Sequence, residues 1–429
     1  MTGRAIRAEL FWIVTGQALT LLLGMITLKM LTYLLGPQEY GRFALGLTVA
    51  GTLNLFVYGP IAHAVARYFH LCANRDALVE LHRLVRFLLR AIALGVLFGG
   101  VAVAFWASAS AEFGWGLLII AALGYGASSG TLSVWLADIN TRRERRSYAL
   151  LQSADALLRL AGAMVLVVLA GLTGGAAMAG FLLGAAASLW LARFAKGEVP
   201  PAPHAPSGCR GLFGKNRLGR EFGGYASSIS LFAIPAIFAS YGDRWIIQQM
   251  LNDAHVGIYV ALAQIANAPA NLILAVFSQT INPILFQRAG ESRSGESLRA
   301  SRQLLYRALL VLAAMLAFMT VVSFVFGEWI VMALTSAEFA PHAGLLWILV
   351  LAAAVFQVAQ ALASEAFLYN RPLSLLLPKI VHAIVFLGLA LWLVGSRQLE
   401  GMAVAAVVAA TVYLLLLIGA NLRAVRARG

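Results

Sequence analysis

Residues Tyr241-Gly-Asp-Arg-Trp-Ile-Ile-Gln-Gln-Met-Leu251 and Asp253-Ala-His-Val-Gly-Ile-Tyr259 decide how this chain is read. A long apolar run ends near a charged pair, Asp243-Arg244. After a short turn, a Gly-x-aromatic step opens the next apolar run. The same design stands earlier in the chain, at Leu31 to Leu35, Gly36-Pro-Gln-Glu-Tyr-Gly41 and Phe43. At one constant shift of 216 residues, Leu35 meets Leu251, Gly41 meets Gly257, Phe43 meets Tyr259 and Ala50 meets Ala266. The shift is about half the chain, so the sequence reads as two related halves.

Composition sets the solvent. The chain is 61% hydrophobic and 12% charged, against roughly 25% charged in a soluble domain. Apolar runs of about 20 residues recur, the length that crosses a bilayer core of about 30 Å. A soluble enzyme is excluded, because too little polar surface remains to cover such a core. The runs are unbroken and do not alternate, so they are helices and not barrel strands. The expectation is an all-α polytopic membrane protein with about twelve spans. They fall near 10–35, 43–69, 85–106, 115–139, 148–171, 174–195, 223–250, 256–287, 304–326, 341–366, 373–395 and 401–422. The basic-then-apolar start, Met1 to Leu22, is taken as part of the first span, since its apolar run continues to Leu35.

Basic residues set the orientation. The net charge is +14. Most Lys and Arg fall in alternate loops, including Arg75 to Arg90, Arg142 to Arg146 and Arg288 to Arg307. The remaining five are Lys29, Arg42, Arg159, Arg244 and Arg397. This bias predicts cytoplasmic termini and an even span count, and it makes nucleic acid an unneeded explanation of the charge. Cys72 and Cys209 both fall on the cytoplasmic side, where free thiols are expected. The expected organisation is an N-terminal six-helix lobe (1–195), a basic Pro/Gly-rich cytoplasmic linker (196–222) and a C-terminal six-helix lobe (223–429). Leu212, Phe213, Leu218 and Phe222 stand among basic residues of the linker, a mix that suits either a solvated segment or the surface of anionic membrane lipids.

Several spans carry polar rows. Gln264, Asn267, Asn271, Ser278 and Asn282 share one face of span eight. Gln279 in that span stands where His63 stands in span two, one turn from Arg67. Gln152, Asp155 and Arg159 line up in span five, and Gln357, Gln360, Ser364 and Glu365 cluster in span ten. Polar rows on corresponding helices suggest a shared water-filled lumen; single amides equally serve as glue between helices. Charges within spans are costly and face the protein interior. Asp155 and Arg159 are one turn apart, which suits either an intramembrane ion pair that offsets its own burial or a functional cation with a neighbouring carboxylate. Lys29 and Arg244 lie towards the external ends of their spans, and Asp138 closes span four beside a basic loop. Gly95-x-x-x-Gly99, Gly126-x-x-x-Gly130 and Gly180-x-x-x-Gly184 fit close helix packing. No phosphate-binding loop, metal motif or long external loop is present, so ATP hydrolysis, metal, cofactor and enzyme activity are not expected.

Leu34-Leu-Gly-Pro-Gln-Glu-Tyr-Gly-Arg-Phe-Ala44 resembles the turn after the first helix of Wzx-type polysaccharide flippases, members of the multidrug/oligosaccharidyl-lipid/polysaccharide exporter superfamily. Ala66-Arg-Tyr68 and the stretch from Asp243 to Tyr259 resemble it too, and the basic loop Arg142 to Arg146 is similar to that family's loop between spans four and five. The resemblance implies twelve or more helices in two lobes and the flipping of undecaprenyl-pyrophosphate-linked oligosaccharide across the bacterial inner membrane. It also implies a part in lipopolysaccharide or exopolysaccharide biosynthesis beside a glycan polymerase and chain-length proteins. On that reading Lys29, His63, Arg67, Arg159, Gln264, Asn267, Asn271 and Asn282 line the substrate lumen. Arg42, Asp243 and Arg244 form an external gate, and Asp155 and Glu365 couple transport to an ion. Three other readings stay open: a drug exporter of the same fold, a membrane glycosyltransferase or glycan polymerase, and a peptidoglycan-precursor flippase.

Overall fold

The computed structural model describes residues 3–73, 77–110, 113–195, 215–289, 295–369 and 371–426. Every long element among them is a helix. The first half holds α1 (Gly3–Leu53), a π turn (Asn54–Tyr58), α2 (Gly59–Ala73), α3 (Leu78–Ser110), α4 (Phe113–Thr141), α5 (Arg145–Ala170) and α6 (Gly174–Ala195). The second holds α7 (Lys215–Met250), α8 (Asp253–Ala289), α9 (Gly295–Leu334), α10 (Leu346–Leu362), α11 (Ser364–Leu368) and α12 (Leu376–Arg426).

Among the described residues, ten helical runs are long and apolar enough to cross a membrane. Two of them, 11–69 and 373–423, are too long for one crossing. The 51 residues of α1 extend about 76 Å at 1.5 Å per residue, more than twice a bilayer core. Each long run is broken once. In α1 the break is Gly36, at φ 66° and ψ 176°, followed by Pro37. Glycine enters that region without a Cβ clash, and proline cannot donate back into the helix before it. In α12 the break is Gln398, at φ 50° and ψ −130°. The two breaks turn ten runs into twelve crossings. A smaller irregularity precedes Pro60: the N–H of Gly59 bonds the Asn54 carbonyl, a π step. Proline at position 60 has no N–H to give to the turn before it, which is where such bulges form.

The chain packs as two compact units. One comprises Met1–Thr27 and Arg42–Ile237; the other comprises Leu28–Gly41 and Phe238–Gly429. In the first, α4 touches α2, α3, α5 and α6; in the second, α10 touches α8, α9 and α12. The most apolar stretch around α10 is 61% buried, against 6% for α3. Span ten is therefore a central post of its unit, and α3 turns most of its surface outward.

Glycines explain the tight seams. In the first unit, a Cβ on Gly180 would lie 2.5 Å from the Ala163 nitrogen, and one on Gly184 would lie 2.5 Å from the Arg159 Cα. A Cβ on Gly126 would stand 3.0 Å from the Ala50 Cα. The backbones of α5 and α6, and of α1 and α4, meet directly there. By contrast, Gly95 and Gly99 have no atom within 4 Å of an added Cβ. That Gly-x-x-x-Gly pair, expected to pack a neighbour, faces open space on α3. In the second unit, the repeat-aligned glycines Gly41 and Gly257 touch each other: a Cβ on Gly257 would lie 2.9 Å from the Gly41 nitrogen.

One expectation needs correcting. Helix α7 begins at Lys215, eight residues before the expected span. Residues 215–222 are therefore helix and not irregular linker. Leu218 and Phe222 are 3% and 0% exposed and pack with Tyr68, Cys72 and Val85 in the core of the first unit. Their spacing of four puts them on one helix face, which the adjacent charges obscured. Residues 196–214, with Leu212, Phe213 and Cys209, lie outside the described residues.

Candidate functional site

In the first unit the polar centre is on α5. Arg159 pairs with Asp155 at 2.9 Å, and its guanidinium donates to the Tyr125 hydroxyl at 2.8 Å. The same guanidinium lies 5.8 Å from the centre of the Phe181 ring, which itself meets Tyr125 edge-on at 5.4 Å. Asp155 is buried. Glycines at 180 and 184 let α6 approach closely enough to close this box. The ion pair is present; Tyr125 was not anticipated, because a tyrosine in an apolar helix gives no sequence signal. His63 and Arg67 are exposed, and Arg67 stacks 4.5 Å from the centre of the Tyr225 ring. Asn54 pins the π turn to α4 by donating to the Gly126 carbonyl at 3.3 Å and the Ser129 hydroxyl at 3.2 Å.

A buried carboxylate gathers helix ends in each unit. Asp138, near the end of α4, accepts from Arg142 at 2.7 Å and faces His82 of α3 at 3.2 Å. Glu365 of α11 is fully buried. It meets Arg302 of α9 at 2.7 Å and accepts from the Tyr306 hydroxyl at 3.1 Å and from the Asn421 amide at 2.9 Å. Those bonds tie α9, α11 and α12 together, the geometry of a clamp.

The second unit lines a half-open cavity of about 470 Å³. Helix α7 lines it with Asp243 and Arg244, and α8 with Tyr259, Gln264, Asn267 and Asn271. Helix α10 adds Phe356 and Gln357, and α12 adds His382 and Phe386. Four of the amide and charged residues expected to serve transport thus meet on one surface with Arg244. Asp243 accepts the backbone N–H of Arg244 at 2.8 Å and is hydrogen-bonded by the Tyr259 hydroxyl. The Arg244 guanidinium lies 5.2 Å from the centre of the Tyr241 ring. Adjacent residues on a helix do not face each other, and here the carboxylate turns to a backbone N–H and a tyrosine of α8. Gln357 donates to Asn271, and Tyr40 approaches Gln264 at 3.5 Å. Phe356, His382 and Tyr413 cluster with ring centres 5.2 to 5.6 Å apart.

Other expected lumen residues stand elsewhere. Lys29 donates to the carbonyls of Met332, at 2.8 Å, and Thr335. It serves the last turn of α9, where carbonyls lack helical partners and a cation is favoured. Asn282 lies further along α8 and does not line the cavity. Arg42 belongs to the first unit, Asp243 and Arg244 to the second. His382 and the aromatic shelf were missed, because aromatic residues in an apolar span read as ordinary packing. No group of three or more metal-ligating side chains occurs among the described residues.

Comparison with known proteins places this geometry. The family described as "Polysaccharide biosynthesis protein" matches residues 6–288. A comparison with curated proteins returns no match. Among solved structures, the Lipid II flippase MurJ in an inward closed conformation is similar with a TM-score of 0.70 at 12% identity, over 97% of this chain and 89% of that one. The Vibrio cholerae MATE transporter VcmN, in a mutant form, gives 0.67 at 12% identity over 99% and 98%. An inward-facing multidrug resistance MATE transporter of the MOP superfamily gives 0.65 at 13% identity over 96% and 95%. Twelve crossings, two compact units and a family match across well over half the sequence agree: the chain belongs to the polysaccharide biosynthesis protein family and has the fold of the MOP-superfamily transporters.

Proposed function

We propose that this protein flips an undecaprenyl-pyrophosphate-linked oligosaccharide across the bacterial inner membrane by alternating access, with both termini in the cytoplasm. The family match over residues 6–288 carries the reading, and likeness to a lipid flippase supports it. A pyrophosphate cannot cross hydrocarbon unaided, since even one charge costs at least about 2.5–3.5 kcal/mol at the membrane centre. Arg159 is the cation best suited to help. It sits within a span, and its planar fork suits phosphate oxygens. Asp155 holds Arg159 at rest and is the candidate for ion coupling, releasing the guanidinium when substrate arrives. Arg67, exposed near the end of α2, is a second candidate contact. The alternation of basic loops supports the orientation. The domain proposal is two six-helix lobes, 1–195 and 223–429, joined by the basic segment 196–222, of which 215–222 is helix; by packing, the second unit also takes Leu28–Gly41 and the first runs on to Ile237.

The test is reconstitution in proteoliposomes with a fluorescent undecaprenyl-pyrophosphate oligosaccharide. Wild-type protein is expected to move it between leaflets, and Arg159→Ala to lower the rate at least tenfold. Wild-type protein that moves no lipid-linked glycan refutes the reading. The similarity to multidrug transporters supports a second reading, export of a small organic cation; uptake of tetraphenylphosphonium by the same vesicles would establish that one instead.

A further inference from the structure

The cavity of the second unit has a chemistry of its own. Its charged lining residues, Asp243 and Arg244, are neighbours of opposite sign. The remaining polar groups include four amides (Gln264, Asn267, Asn271 and Gln357), the Tyr259 hydroxyl and the His382 ring. Phe356 and Phe386 add apolar faces. His382 and Phe386 lie nearly parallel, at 9° and 6.3 Å, and His382 also packs on Phe356 at 5.2 Å.

Such a wall discriminates by charge. A diphosphate carries more than one negative charge and needs an excess of cations, whereas the Arg244 guanidinium shares this lining with the Asp243 carboxylate. An organic cation meets the same balance from the other side. A neutral sugar fits. Each amide carries two donors and two acceptor lone pairs. Of these, Asn267 spends one N–H on the Ala263 carbonyl, and Gln357 and Asn271 spend one function each on their mutual bond. The functions left over can donate to and accept from vicinal hydroxyls, while the ring faces take the sugar's C–H side. The volume, about 470 Å³, falls in the range of about 300–1,000 Å³ usual for small-molecule sites.

We propose that this cavity is a saccharide subsite: it binds an uncharged ring of the glycan through the α8 and α10 amides and the aromatic shelf of α10 and α12, and does not bind the pyrophosphate. The proposal rests on the flippase reading for its biological meaning, yet its binding chemistry is tested separately. It also separates two tasks within one substrate, with sugar recognised in the second unit and phosphate charge met outside this cavity, as at Arg159 once Asp155 releases the guanidinium.

The test uses the full-length protein in lipid nanodiscs. Chitobiose, lactose, maltose and inorganic pyrophosphate are titrated singly, with binding followed by saturation-transfer NMR. At least one neutral disaccharide is expected to bind the wild type. Asn267→Ala and Asn271→Ala, both at accessible positions, should each weaken it about five- to tenfold, the loss of one hydrogen bond. Thr411→Val is the control, since that hydroxyl bonds its own helix at Val407 and lies outside the cavity lining; it should bind as wild type. Pyrophosphate binding should be unchanged by either Asn variant. The proposal is overturned if none of the three disaccharides binds, if both Asn variants bind sugar as wild type does, or if they lose pyrophosphate instead. Sugar binding that the variants weaken, in a protein that flips no lipid-linked glycan, would keep the subsite and remove the flippase. Flipping with wild-type sugar binding in both variants would do the reverse.

Discussion

The α5–α6 seam offers a direct measure of how this membrane fold holds together. In the first unit, Gly180 and Gly184 bring α6 against the backbone of α5 at Ala163 and Arg159. An alanine Cβ at either position would sit about 2.5 Å from a backbone atom. Ordinary van der Waals contact starts near 3.4 Å, so the helices must separate by at least about 0.9 Å. Neither neighbour is a flexible side chain that can swing away. Overpacking of this kind costs about 1–3 kcal/mol. The change to alanine also favours an isolated helix by about 1 kcal/mol. That gain is common to every helical glycine, so it cancels in a comparison with Gly95→Ala and Gly99→Ala, where open space surrounds the new methyl. The difference between the two pairs isolates the seam. At about 2–4 °C per kcal/mol for a unit of roughly 150–250 residues, the seam variants should melt several degrees below the α3 variants in thermal unfolding of purified protein in detergent. The seam also positions Arg159, so Gly184→Ala should slow transport even where it folds. Equal melting temperatures for the two pairs would refute the claim that backbone contact at Gly180 and Gly184 stabilises the unit.

Three further outcomes follow from particular contacts. Lys29→Met removes a donor to two carbonyls at the end of α9 and should cost about 0.3–1 kcal/mol, read as a lower melting temperature with transport per folded molecule unchanged; a transport defect at full stability would restore Lys29 to the lumen. Arg302→Met strands the buried Glu365 and should destabilise by about 3–5 kcal/mol, while pairing it with Glu365→Gln should recover most of the loss. If the double variant melts no higher than the single one, the clamp is not an ion-pair arrangement. Phe222→Ala should cost about 3–5 kcal/mol, since that ring is fully buried; a near-neutral effect on melting would return residues 215–222 to a surface linker.

The sequence made much of the helix plan legible, and the failures are instructive. Apolar length reported the crossings, because a helix is the simplest open structure that satisfies its own backbone in lipid. Gly36-Pro37 reported its break through backbone chemistry visible in two letters. The break at Gln398 falls in the gap between the spans expected at 373–395 and 401–422, but its positive φ is imposed by surroundings and is encoded by no local preference. Asp155 and Arg159, one turn apart, were found as a pair because helical spacing alone brings them together. Tyr125, His382 and the bond from Tyr259 to Asp243 were missed because each approaches its partners from another helix.

Glycine pairs show where the boundary lies. Gly95-x-x-x-Gly99 and Gly180-x-x-x-Gly184 are the same motif in one dimension, yet one faces open space and the other meets backbone. In water, hydropathy would separate an inward face from an outward one. In a bilayer the solvent is as apolar as the core, so no such contrast exists along the sequence. The sequence by itself determined the number of helices, their breaks at glycine and their polar rows. Only the tertiary structure decided which faces touch, which amides share a cavity and which cation meets a carboxylate. Those choices depend on the shapes of distant helices, and the hydrophobic pattern of a membrane span does not record them.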